Sequence, residues 1–91
     1  MTDVSIIVLG LLRGLIAEND PTAHFGSLFG YRSHERDAQR LGLIKGSDDD
    51  CRPTALGLKL YKQLGLEAYS GRAVSWPREL ETRAGAILRS A

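Results

Sequence analysis

Arg36, Gln39 and Arg40 recur at i, i+3 and i+4, a spacing that gathers side chains on one side of a helix, and all three carry hydrogen-bond donors suited to a ligand. At 100° per residue, His34, Ala38 and Leu41 point to another side, which leaves 36, 39 and 40 as the candidate recognition face. Glu35 and Asp37 lie between the two, and an Asp37–Arg40 pair at i+3 would reduce the charge left for a ligand. Asp48, Asp49 and Asp50 follow as an unbroken acidic run. Consecutive carboxylates lack the alternating spacing that wraps calcium, so the run reads first as a solubilising turn and next as a contact for a basic protein. Cys51 stands beside this run, where like charge disfavours a thiolate and argues against a reactive nucleophile. His34 reads as a partly buried structural histidine and His24 as an exposed one. Their spacing does not suggest metal ligation, and neither metal nor cofactor is expected. With no carboxylate pair, metal set or nucleophile and base to assemble, the chain is not expected to be an enzyme.

The elements that must position these residues belong to a chain of 91 residues, read as one domain over 1–91. Apolar residues make up 43% and charged residues 25%, so the chain should fold. The net charge of +1 is low for a protein whose affinity comes from phosphate neutralisation. A basic surface would have to arise by local segregation of charge. The apolar run over 4–12 is too short to span a bilayer, and Asp3 with no basic residue makes a poor secretion signal. A single cysteine makes a reducing cytoplasm the expected compartment.

A first helix is expected from Asp3, as N-cap, to Glu18 or Asn19. It is apolar nearly all round, so one side must find cover beyond the domain's own core. Gly10 and Gly14 would let another backbone approach, within the monomer in preference to a dimer. Asp20-Pro21 restarts a second helix that buries Phe25, Leu28 and Phe29 and stops at Gly30. Ser33 caps a short helix over 34–41, and Gly42 ends it in the left-handed conformation. A hairpin follows, with strands over 43–45 and 51–53, and Pro53 places the return strand at an edge. Thr54 then caps a helix to about Gly65 that buries Leu56, Leu60 and Leu64, with Gly57 admitting a close neighbour. Trp76 reads as a packing anchor for a last helix over about 77–90 carrying Leu80, Ala84, Ile87 and Leu88.

An apolar first helix (SIIVLGLLRGLIAE), a helix ending in RLGLI, a hairpin and then TALGLKLY make residues 5–65 resemble the winged helix-turn-helix regulators, in the broad MarR-type and PadR-type sense. The resemblance implies a mainly α fold with a small β-hairpin, a winged-helix core over 4–66 and an additional C-terminal helix. It also implies double-stranded DNA as partner, with the helix over 33–41 in the major groove. Arg36, Gln39 and Arg40 would then face bases, where Arg pairs with guanine and Gln with adenine. Arg32 and Ser33 would lie near the phosphates, and Lys45 and Arg52 would hold the backbone on either side of the hairpin tip. The expected role is a small transcriptional regulator, homodimeric through its N-terminal and C-terminal helices. The tip itself reads GSDDD where winged relatives generally place Arg or Lys. That departure supports an alternative, a protein-interaction module, either an accessory subunit or a phage- or plasmid-encoded inhibitor, that offers the acidic hairpin over 46–52 to a basic partner.

Overall fold

The apolar string at the start of the chain becomes α1 (Ile6–Glu18), and the rest of the molecule is built around it. A computed structural model describes residues 4–46 and 50–90. The later elements are α2 (Tyr31–Arg40), β1 (Ile44–Lys45), β2 (Arg52–Pro53), α3 (Ala55–Leu64) and α4 (Glu79–Ser90), with short 3-10 turns at Leu66–Ala68 and Ala73–Ser75. The fold is therefore mainly helical with one small antiparallel hairpin, paired Ile44 with Pro53 and Lys45 with Arg52. α2, α3, α4, β2 and both 3-10 turns pack on α1. That enclosure explains why its sequence is apolar nearly all round: Val8, Leu9, Leu11 and Leu12 are all buried within the chain itself.

The first turn of α1 is satisfied from far along the sequence. Ser5 Oγ accepts from the Ile7 amide, and the Glu81 carboxylate of α4 accepts from the Ile6 amide at 2.6 Å. A carboxylate at this end also suits the helix dipole. Ser5 is thus the N-cap, while Asp3, the expected cap, lies outside the described residues. The two glycines of α1 serve close approaches within the chain. A Cβ on Gly10 would stand 2.5 Å from the Ala73 methyl, and one on Gly14 would stand 2.5 Å from the Asp20 carbonyl oxygen.

Thr54 caps α3 as expected, its hydroxyl accepting from the Gly57 amide at 3.1 Å and donating to the Gly42 carbonyl. Leu60 and Leu64 are buried, whereas Leu56 is only half-buried. Gly65, in the left-handed conformation, ends the helix. In α4, Leu80 and Ala84 are buried, and Ile87 and Leu88 are half-buried against the core. No helix among the described residues is long and apolar enough to cross a membrane.

The expected second helix is absent. Asn19 takes the left-handed conformation after α1, and the Asp20 carboxylate then accepts from both the amide and the hydroxyl of Thr22, which holds its pKa below the ordinary value. Residues 21–30 follow as turns and irregular backbone. Two causes act together. Gly26 and Gly30 each cost about 1 kcal/mol of helix propensity relative to alanine, and His24 is claimed by distant groups. The His24 carbonyl accepts from the Ala73 amide at 3.0 Å, and its ring lies in the core. As a result Leu28 and Phe29, expected to be buried, are 63% and 95% exposed. α2 also begins at Tyr31, with Gly30 as N-cap in place of Ser33.

His24 was expected at the surface, and the reason for its burial is a polar network around Arg13. Arg13 Nη1 donates to Glu18 at 2.6 Å and to His24 Nε2 at 3.1 Å, while Nε and Nη2 donate to the carbonyls of Leu66 and Glu67. His24 Nδ1 meets the Gly71 carbonyl at 2.8 Å. A guanidinium only donates and a carbonyl only accepts, so the ring is assigned as the Nδ1–H tautomer. Trp76, buried, covers this ring at 5.2 Å between centroids and donates its indole N–H to the Ser70 carbonyl, so its shown contacts anchor the 70–76 segment to His24.

Candidate nucleic-acid interface

α2 is short and strongly two-sided. Ala38 and the Glu35 carboxyl are buried toward the core, while Arg32, Ser33, Arg36, Gln39 and Arg40 are all exposed. The helix is set by its first turn. Tyr31 packs edge-on against Phe25 at 5.2 Å and hydrogen-bonds Glu35 one turn later. Burial, then the charge of Glu35, pushes the Tyr31 phenol up to about 12. Cys51 of the hairpin stands in the same neighbourhood, and its thiol is also pushed up, by burial first and Glu35 second. The thiolate is thus disfavoured, as the sequence suggests, with burial the larger cause and the Glu35 carboxylate of α2 the second.

The outer face of α2 is joined to the hairpin by one hydrogen bond. Gln39 Nε2 donates to the Gly46 carbonyl at 2.6 Å, so the Gln39 amide nitrogen is partly committed to holding the hairpin beside the helix. Lys45 and Arg52 are cross-strand partners and both are exposed. Like charges directly opposite one another in a two-stranded ladder repel. Asp50 offsets part of this by approaching Arg52 at 3.6 Å, although both side chains are well exposed and such a pair contributes little. Asp37 pairs with Arg40 at 3.1 Å, the i+3 contact expected from the sequence. Arg36 makes no ion pair among the described residues.

The structure thus brings together Arg32, Ser33, Arg36, Gln39 and Arg40 on α2 with Lys45 and Arg52 on the hairpin. Asp50 is exposed at the edge of this surface, and Asp48 and Asp49 lie outside the described residues. The sequence reading missed three residues near the start of α2: Leu28, Phe29 and Arg72. The signal available for the first two was Gly26 and Gly30, which bracket them and oppose a helix. Arg72 could not be placed without the tertiary fold. Comparison with family models, with curated proteins and with solved structures finds no match to this chain.

Proposed function

We propose that this chain binds double-stranded DNA as a small regulator of winged-helix type, with α2 entering the major groove and the hairpin acting as its wing. The observation that supports this most is the outward row of Arg32, Ser33, Arg36, Gln39 and Arg40, continued by the paired cations Lys45 and Arg52. Arg36 and Arg40 suit guanine edges, and Ser33 near the helix start suits a phosphate. Gln39 has its carbonyl oxygen available while its nitrogen serves Gly46. Pairing of two copies would present two α2 helices to half-sites about one duplex turn apart. Because α1 is enclosed, such pairing would draw on the outer side of α4, where Ile87 and Leu88 are half-exposed.

Fluorescence anisotropy with labelled duplexes at low salt tests this reading. The double variant Arg36→Ala/Arg40→Ala should bind at least tenfold more weakly, since a single base contact is worth about 1–3 kcal/mol. Loss of Lys45, assigned to a phosphate, should lower the salt slope by about one unit without changing sequence preference. An absence of duplex binding by the parent protein, or equal binding by the double variant, would sink the proposal.

A further inference from the structure

Leu28, Phe29 and Val74 are three of the four large apolar side chains that stand exposed among the described residues. Phe29 and Val74 border a groove of about 350 Å³, and Leu28 precedes Phe29 in the chain. The groove is also lined by Phe25 and His34, whose rings meet edge to face at 6.1 Å. Across it runs Arg72, whose guanidinium lies 3.1–3.2 Å from the point where a Cβ on Gly26 would stand. Arg72 makes no ion pair among the described residues, and none of the groove's lining residues is an Asp or Glu. His34 Nδ1 is buried here without a partner.

An apolar occupant alone would leave Arg72 unused, and a purely ionic one would leave the phenyl face of Phe29 in water. A nucleotide offers both complements, a flat base that stacks on an aromatic ring and a phosphate that accepts from a guanidinium. A paired base cannot offer its face in this way, because its neighbours in the duplex cover it. The volume lies at the small end of ligand sites, about 300–1,000 Å³, which suits one unstacked nucleotide. One further cation stands close in sequence: Arg32 is exposed on the first turn of α2, three residues after Phe29, with the neutral Ser33 hydroxyl exposed beside it.

We propose that single-stranded nucleic acid binds across this groove, with one base stacked on Phe29 and the adjoining phosphate held by Arg72. The site is separate from the 36, 39 and 40 face, goes beyond duplex binding and does not depend on it. The strand would gain sequence-tolerant affinity from stacking, with the cations following its backbone.

The test uses the full chain and a fluorescein-labelled oligothymidylate, titrated by anisotropy at low salt beside a duplex of the same length. The parent protein should bind the single strand. Phe29→Ala should weaken that binding by about 5- to 160-fold, the range for loss of one base–aromatic stack. Phe29→Tyr should retain it, and Phe29→Leu, apolar but without a π face, should not. Arg72→Ala should lower the single-strand salt slope by about 0.7. Phe29 makes so little contact that its variants should fold, which circular dichroism checks. The duplex titration, sensitive to Arg36 and Arg40, is scored separately, so either result can fail alone. No single-strand binding, parent-like binding by Phe29→Leu, or a Phe29-dependent dimer that ignores the oligonucleotide would overturn the proposal.

Discussion

The connections that follow α2 and α1 both run through glycine, aspartate and proline, yet among the described residues the contacts of the first are local and those of the second reach residues some fifty positions later. In the first, Leu43 donates its amide to the Ala38 carbonyl and accepts from Thr54, and Thr54 reaches both Gly42 and Gly57. Those contacts span fewer than twenty residues. In the second, His24 meets Gly71 and Ala73, and Arg13 ties the same region to Leu66 and Glu67. Local rules decide a segment only where local groups satisfy it; where distant donors and acceptors compete, propensity loses.

The sharpest break in the first region is Gly57→Val. A Cβ there would collide with the Leu43 carbonyl oxygen and approach its carbon at 3.1 Å, and both are backbone atoms that cannot swing aside. Leu12, at 3.2 Å, closes the remaining side. Overpacking of this kind should cost about 3 kcal/mol or more. A small domain has only about 5–15 kcal/mol in total, so the urea midpoint should fall far or folding should fail. A midpoint close to the parent's would show that the α3–hairpin junction is looser than its contacts suggest.

Arg13→Met tests the second region and should cost somewhat less, about 2–3 kcal/mol. The substitution keeps the volume of the stem but leaves His24 Nε2 and the carbonyls of Leu66 and Glu67 without their donor. Glu18, half-exposed, can return to water. The diagnostic measurement is the cycle with His24→Leu. If Arg13 and His24 act as one network, the second substitution should cost at least about 1 kcal/mol less in the Arg13→Met background than alone. Additive costs would mean that the two residues hold the 66–76 segment independently.

The same contrast separates what the sequence could disclose from what it could not. Thr54 three residues before Gly57, Gly65 after a leucine stripe, and Asp37 three residues before Arg40 are spacings whose consequence is local, and each is found as expected. The outward placement of Arg36, Gln39 and Arg40 is likewise a matter of helix geometry, which survives a helix start three residues early. His24 has no such local sign. Its burial depends on an arginine eleven residues earlier and a carbonyl 47 residues later, as the separations of its two ring contacts show. Leu28 and Phe29 mislead for a related reason. Their spacing from Phe25 suits a helix face, but periodicity describes a helix only after something has paid for its formation, and the backbone at His24 is already bound to Ala73.

Gly26→Ala puts that explanation to its finest test, with the smallest expected effect. The substitution removes a glycine and so favours helix over 21–29 by about 1 kcal/mol. If poor propensity alone kept this segment irregular, the variant should gain helical signal at 222 nm and bury Phe29. The contacts argue otherwise. His24 would still be fixed by Arg13, Gly71 and Ala73, and the nearest atoms to the new methyl would be those of the Arg72 side chain, at 3.1–3.2 Å, which is long and exposed enough to move. The expected outcome is an unchanged helical signal and a stability within about 0.5 kcal/mol of the parent. Repeating the measurement in the His24→Leu background isolates the cause, because removing the ring's anchors should make the segment more responsive to the alanine. A helical gain in the single variant would place the control of residues 20–30 in local propensity, and would predict that a Phe29 withdrawn into such a helix no longer stacks on a single strand.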